Sequence, residues 1–385
     1  MPSVLLVANT SWYLYNFRFP LIRELKSKGY IVSLVAPHDN YTSILEKEGL
    51  NVHNWKVSRS SINPFLEFQS LIDLIRIYRK ERPELVHHFT IKACLYGTIA
   101  AKFARVYRVI NAITGLGHVF LGTRKRNRLL RSFLRPLYKA VFMARRSTVV
   151  FQNAEDQEKL IQLGITDGDK AKLIKGSGVD IKYFKPEQSY RRDYKEPFQL
   201  LFPSRLIKQK GIVEVLDACK SLWSEGFNLE LLIAGNVDLG NRSSLTSAEI
   251  KEIQTQPNIH FLGHIDDMRP IYQSSDVVVL PSWREGLSRA LIEAAAMERP
   301  IITTDVPGCK DVIEHGCSGL LVPLRDSRSL MLAIRLLMQN PELAFKFGKS
   351  ARKKVLAEFQ VSLVNERTLE QYERLLKEPL QRDAK

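Results

Sequence analysis

The sequence contains nothing approaching the roughly 20 uncharged apolar residues that a membrane-spanning helix requires, so no helical span is expected. Its N-terminus runs from Met1-Pro2-Ser3 straight into Val4 to Ala8, with no basic leader and too few apolar residues for a signal sequence, and export is not expected. The four cysteines, Cys94, Cys219, Cys309 and Cys317, lie far apart and form no CxxC. That excludes a disulfide-stapled scaffold and reads as reduced thiols in a cytosol, with no chemistry assigned to them. The glycine pairs Gly115-Leu116-Gly117 and Gly176-Ser177-Gly178 lack the third glycine of a dinucleotide fingerprint. Asp167-Gly168-Asp169 has the spacing of a metal-binding carboxylate pair but no nearby carboxylate or histidine ligand; it reads as a turn, and no metal site is expected. No short-period repeat and no low-complexity tract occurs.

Acidic residues are missing from one region in particular. The chain carries a net charge of +16, yet residues 1–190 hold 30 Lys/Arg against 15 Asp/Glu while residues 191–385 hold 27 against 26. Within the basic half, residues 102–146 contain twelve Lys/Arg and no Asp or Glu, a field that attracts phosphates or acidic lipid headgroups. Positive charge alone would also suit a nucleic-acid-binding protein. No binding motif or interleaved aromatic pattern supports that reading, and no nucleic-acid partner is expected.

At 385 residues the chain exceeds what one core usually supports, which favours two domains. Short apolar runs alternate with helical patterns, as in a parallel sheet wrapped by helices. Strands are expected at Val4–Ala8, Ile31–Ala36, Leu85–Phe89, Val109–Thr114 and Thr148–Phe151, with helices at Phe17–Lys28, closed by Gly29, and Pro64–Lys80. The charged, proline-bearing stretch 183–198 reads as a linker. The alternation then restarts, with strands at Gln199–Pro203, Leu229–Ala234, Ile259–Leu262, Val277–Leu280, Ile301–Thr304 and Leu320–Val322. Helices are expected near Ile212–Ser224, Arg289–Met297 and Leu330–Met338, followed by a helical tail, Glu342–Lys377. The expected architecture is α/β, two Rossmann-like domains facing across a cleft, divided as 1–190 and 191–385. Ligands of open α/β sheets bind at the carboxyl ends of the strands.

The strongest chemical signal lies between Pro281 and Glu293: a strand end, a turn holding Glu285, Gly286, Leu287 and Ser288, and a helix start that Ser288 can cap. Amides at the start of a helix favour a pyrophosphate without a metal. Glu285 falls in the loop and Glu293 inside the helix, so the two carboxylates can do different work. Upstream, Arg205 and Lys210 leave the first strand of the second domain, the arginine as a fork for phosphate oxygens and the lysine as a point charge. A basic pair in a loop is by itself more often solvated than liganded, and a lone Glu285 is better read as a surface pair to Arg284 or Arg289. Their occurrence together on strand ends of one expected sheet carries the argument.

These residues resemble the family 4 glycosyltransferases, retaining enzymes of the GT-B fold that take sugars from nucleotide diphosphates. The likeness rests on Glu285-x7-Glu293 with Arg205 and Lys210, followed by Pro307-Gly308 and the run Gly316 to Pro323. It implies that Arg205 and Lys210 hold the diphosphate, that Glu293 receives the ribose hydroxyls and that Glu285 meets the donor sugar. It further implies that backbone groups of Gly286, Leu287 and Ser288 complete a phosphate cradle, with the stretch Gly263 to Asp266, including Ile265, beside the base. The first half is similar to the subgroup that builds lipid-linked oligosaccharides, through Tyr15 to Arg18, Ser58 to Pro64, Lys92 and Gly115 to Gly117. On that likeness Asn16, Arg18, Arg59, Asn63, Lys92 and Thr114 are candidate acceptor contacts, although Arg59 and Lys92 taken alone read equally as solvated charges. Where many relatives have a Gly-Gly pair, this chain has Asn9 to Trp12. Where others have a histidine it has Thr114, and His118, four residues on, is the candidate substitute among the catalytic groups. His87 and His88 end a buried strand and read as structural.

The expected partners are therefore a UDP-sugar donor and an undecaprenyl-diphosphate-linked acceptor in cell-surface polysaccharide assembly. The basic amphipathic segment 124–146 would hold the protein on the cytoplasmic face of an anionic membrane, though a packed helix with a solvated basic face has the same pattern. A nucleotide-sugar epimerase on the same fold is the alternative enzyme.

Overall fold

The computed structural model describes all residues except 59–62, 117–124, 145, 188–196, 239–240, 242 and 380–385; for 125–133 it describes the backbone alone. Arg59, His118 and the start of the basic segment at Arg124 thus lie outside the described residues. The chain forms two compact units, residues 1–177 with 362–385, and residues 178–361.

The first unit is a parallel sheet of β1 (Ser3–Val7), β2 (Ile31–Ala36), β3 (Asn51–Asn54), β4 (Leu85–Phe89), β5 (Arg108–Ile113), β6 (Ser147–Phe151) and β7 (Ala171–Leu173), ordered β3-β2-β1-β4-β5-β6-β7. The central strands β4, β5 and β6 are buried along their whole length, as expected when helices cover both faces of a parallel sheet. The sequence reading omits β3 and β7, which are short and partly exposed edge strands with no continuous apolar run. The second unit contains β8 (Phe198–Phe202), β9 (Leu229–Ala234), β10 (Ile259–Gly263), β11 (Val277–Leu280), β12 (Ile301–Thr304) and β13 (Leu320–Val322), all parallel and ordered β10-β9-β8-β11-β12-β13. Asp167-Gly168-Asp169 is a turn, closed by the Lys170 amide donating to Asp167 Oδ1 at 2.8 Å.

The tail is helical as expected, but it departs from the expected boundary. It breaks at Phe359–Gln360 into helices Pro341–Glu358 and Val361–Lys377. The former belongs to the second unit: a side chain at Gly348 would run into the Glu298 carbonyl, so glycine lets the helix lie against the end of helix Arg289–Ala296. The latter packs into the first unit, where Val364, Leu369, Tyr372 and Leu375 join the core formed with Val4, Leu6, Leu21 and Leu25. Sequence periodicity records that a helix has an apolar face, not which sheet receives it.

Polar contacts fix the docking of this last helix. Tyr372 Oη meets His87 Nδ1 at 2.8 Å, and Asn365 donates to Glu24 Oε2 at 2.7 Å. Arg108, 7% exposed at the start of β5, donates through Nε to the Leu375 carbonyl at 2.7 Å and through Nη2 to those of Leu376 and Glu378, both at 3.1 Å. A guanidinium thereby satisfies the orphan carbonyls at a helix C-terminus and meets the negative end of its dipole. Arg108→Ala is expected to cost about 2 kcal/mol of stability, in the range for buried hydrogen bonds to a charged group, and to expose the tail to early proteolysis. An unchanged unfolding midpoint and cleavage pattern would contradict this account of the docking.

Candidate active site

In the second unit the strand order reverses between β8 and β11, which are neighbours although β9 and β10 intervene in sequence. Chains leaving the carboxyl ends of these two strands diverge and leave a crevice, the usual ligand position in an open α/β sheet. The loop after β8 carries Arg205 and Lys210, and the loop after β11 carries Ser282, Glu285 and Ser288. The topology thus brings together residues about 75 positions apart.

Two close approaches seat these loops. Gly211, at φ +83°, caps the short turn Lys208–Lys210, and any Cβ there would collide with the Pro281 carbonyl. Gly308, at φ +78°, lies so close to the Glu285 carbonyl that a side chain has no room. Glycine is required at both positions by conformation and by space. Backbone bonds complete the frame: Trp283 N to Gln209 O at 2.8 Å, Glu285 N to Pro307 O at 3.1 Å and Ser288 N to Gly308 O at 3.0 Å.

Within this frame Lys210 Nζ forms an ion pair with Glu285 Oε1, which also accepts from Ser282 Oγ at 2.7 Å. Both charged side chains are largely covered, 23% and 13% exposed, so solvent screens the pair only partly. Arg205, half exposed, pairs with Asp238 from the loop after β9. The Cys309 thiol beside this cluster is pushed up to about 12 by burial and by the Glu285 carboxylate, and stays protonated at neutral pH.

The helix Arg289–Ala296 begins at Ser288, which has the extended backbone of a cap but no side-chain bond to the first turn. The expected side-chain cap is therefore not formed, and the Ser288 amide is engaged by Gly308 instead of lying open to a phosphate. One turn in, Glu293 accepts from Arg289 Nε at 2.7 Å, and Tyr272 Oη lies 3.4 Å from its other oxygen. Burial raises the Glu293 carboxyl above the usual range, against the opposing pull of Arg289. Gly263, at φ +68°, closes β10, and Ile265 packs partly buried on the core beyond it.

Two family models match the chain: "Glycosyl transferases group 1" over residues 186–354 and "Glycosyl transferase 4-like" over residues 3–153. Together the two models span most of the chain, which is a glycosyltransferase. It is 27% identical to the N,N'-diacetylbacillosaminyl-diphospho-undecaprenol alpha-1,3-N-acetylgalactosaminyltransferase of Campylobacter jejuni, over 94% of this chain and 96% of that one. It is 26% identical to the UDP-Gal:alpha-D-GlcNAc-diphosphoundecaprenol alpha-1,3-galactosyltransferase of Escherichia coli, over 78% of each chain. Anabaena HepE, solved with UDP and glucose, superimposes with a TM-score of 0.78 at 18% identity, covering 96% of this chain and 99% of that one, which shows the shared GT-B fold. The transferase reading is thus established at the level of reaction class, and no comparison supports the epimerase.

In the first unit of the transferase the described candidate acceptor residues lie on several elements, residues 14–18, the start of helix Pro64–Glu81, helix Ile91–Ala104 and the end of β5. Arg18, 5% exposed, is interior: its guanidinium stacks 4.4 Å from the Phe89 ring and donates to Tyr13 Oη at 2.8 Å. Lys92 pairs with Glu67 Oε2 at 2.7 Å and donates to the Ser58 carbonyl at 2.7 Å, tying helix Ile91–Ala104 to helix Pro64–Glu81. Asn63 caps the latter helix, its Oδ1 accepting from Phe65 N at 3.0 Å. Asn16 donates to the Trp12 carbonyl at 3.0 Å, and Thr114 sits part-exposed just beyond β5.

His88 is held between Tyr78 Oη and Asn111 Oδ1, both at 2.8 Å, and burial lowers it to about 4. His87 is lowered well below its ordinary value by burial and by Arg18, so both rings are neutral at physiological pH. Sequence reading missed Ser282, Asp238 and Tyr272. Ser282 alone left a signal, three residues before Glu285, whereas Asp238 lies 33 residues from Arg205 and Tyr272 lies 21 from Glu293.

A carboxyl raised by burial binds its proton more readily in the folded chain than in the unfolded one. The Glu293 contribution to stability therefore declines as pH rises from the ordinary carboxylate value through the raised one. Glu293→Gln is expected to remove that decline and leave the protein at least as stable at neutral pH. Urea unfolding in mildly acidic and neutral buffer checks it, and a loss of stability confined to neutral pH would show that the Arg289 pair outweighs burial.

Proposed function

We propose that the chain is a retaining transferase that moves a hexose or N-acetylhexosamine from a UDP-sugar to an undecaprenyl-diphosphate-linked saccharide. The observation that carries this reading is the meeting of Lys210, Glu285 and the start of helix Arg289–Ala296 at the reversal of strand order, with Arg205 on the adjoining loop. Both cations are paired with carboxylates, Lys210 with Glu285 and Arg205 with Asp238. A donor diphosphate exchanges those partners for its own oxygens, releasing Glu285 toward the sugar. Glu293, fixed one turn into the helix, takes the ribose hydroxyls, and the turn Gly263 to Asp266 flanks the base.

In the reaction the bond between the anomeric carbon and the diphosphate oxygen breaks, and the acceptor hydroxyl bonds to the same face of that carbon. The hydroxyl proton passes to the departing diphosphate. Arg205, Lys210 and the helix start stabilise charge on that leaving group, which is where charge develops in the transition state. Positioning both substrates in one orientation supplies much of the remainder. UDP in the solved Anabaena complex and the diphosphoundecaprenol acceptors in the relatives' names support the choice of substrates.

The acceptor's anionic lipid places the work at a membrane, and the helix Lys125–Phe142, basic and amphipathic in sequence, is the proposed contact with its cytoplasmic face. Among the described residues no helix is long and apolar enough to cross it. No nucleic-acid partner forms part of this reading.

Lys210→Ala and Glu285→Gln are expected to lower kcat roughly a hundred- to a thousandfold, the scale seen when one group stabilising transition-state charge is removed. The assay uses saturating donor and acceptor, with the anomeric configuration of the product read by NMR. Near-normal turnover in either variant would remove these roles, and an epimerised nucleotide sugar formed from donor alone would restore the epimerase.

A further inference from the structure

A cavity of about 470 Å³ lies in the first unit between helix Ile91–Ala104 and the carboxyl half of helix Lys125–Phe142, at the amino end of β5. It is remote in the fold from the carboxyl strand ends of the same sheet. Small residues leave it open: Ala101, Ala140 and Ala144 line it where larger side chains would close the space between the helices. Protein interiors are ordinarily packed without such voids. Its size falls within the range of about 300–1,000 Å³ typical of small-molecule pockets.

Its mouth is unusual for a soluble surface. Phe103 is 58% exposed, Tyr107 47%, Leu137 41% and the neighbouring Met143 37%, a concentration of large apolar groups on one small area. Contiguous exposed apolar surface rimmed by charge marks a site of interaction. Both charged residues that line the cavity are basic, Lys102 and Arg146, the latter also donating to the Pro379 carbonyl, and the sequence has no Asp or Glu between Glu84 and Glu155. An acidic or neutral-polar protein segment would answer only one half of this surface. A phospholipid with an anionic headgroup answers both.

We infer that this cavity binds a hydrocarbon chain of an anionic bilayer lipid, with Phe103, Tyr107 and Leu137 at the headgroup boundary and Lys102 and Arg146 on the phosphate. The inference rests on the membrane reading above but adds a built site, distinct from the lengthwise contact of a basic helix with a surface. A chain withdrawn into the cavity would fix the rotation of the first unit about that helix, which surface electrostatics alone does not.

The test places a reporter at the mouth, Phe103→Trp, and measures quenching by phosphatidylglycerol brominated in its acyl chains, in vesicles with phosphatidylcholine. Strong quenching is expected, together with its loss when the cavity is plugged by Ala140→Phe, which should also weaken vesicle binding about tenfold. Leu137→Asn, at an exposed position, should weaken both measurements without disturbing the core. Donor hydrolysis and the unfolding midpoint should be unchanged in each variant.

Vesicle binding with no quenching, or quenching indifferent to the plug, would overturn this inference and leave the membrane reading standing. Equal quenching in brominated phosphatidylcholine alone would overturn the assignment to an anionic lipid. Failure of the parent protein to bind any vesicle would overturn the membrane reading along with it.

Discussion

The adjacency of β8 and β11 is the constraint on which the catalytic unit depends. Because their crossovers run to opposite sides of the sheet, the loops that follow them are left side by side with no strand between. Gly211 against the Pro281 carbonyl and Gly308 against the Glu285 carbonyl then set the spacing at which Lys210 and Glu285 share an ion pair. With larger residues the loops would separate, and two opposite charges would become two solvated side chains of little mutual energy. The proposed exchange of the Glu285 carboxylate for a donor phosphate starts from that spacing.

The second carboxylate shows how burial divides labour between like groups. Glu285 is fixed by Lys210 and Ser282 in a loop, whereas Glu293 is buried in a helix and held by Arg289 and Tyr272. Burial raises the latter carboxyl, and the arginine resists that rise. A group in this balance costs stability and suits a position that a ligand completes, which agrees with the tendency of perturbed carboxyls to gather at functional sites.

The first unit is built differently. Its buried polar groups serve mainly to hold the chain together: His88 between Tyr78 and Asn111, His87 on Tyr372, and Arg108 on the carbonyls of the last helix. Arg18 and Lys92, which resemble acceptor contacts by motif, are engaged by Tyr13 and Phe89 and by Glu67. The surplus positive charge lies instead along helix Lys125–Phe142 and around the cavity beside it, where a membrane surface can use it.

The sequence by itself determined the fold class, eleven of the strands and the loops that leave β8 and β11 with Arg205, Lys210, Glu285 and Ser288, because buried parallel strands are continuous apolar runs and those loops keep a fixed spacing of charge and glycine. Edge strands β3 and β7 escaped it, having no such run. Only the tertiary structure decided which distant groups meet: Asp238 with Arg205, Tyr272 with Glu293, and the final helix with the first sheet rather than the second. It also decided that Arg18 is interior and that Ser288 spends its amide on Gly308. Such pairings depend on distances across the fold, and a linear pattern records the character of a side chain but not the neighbour that folding gives it.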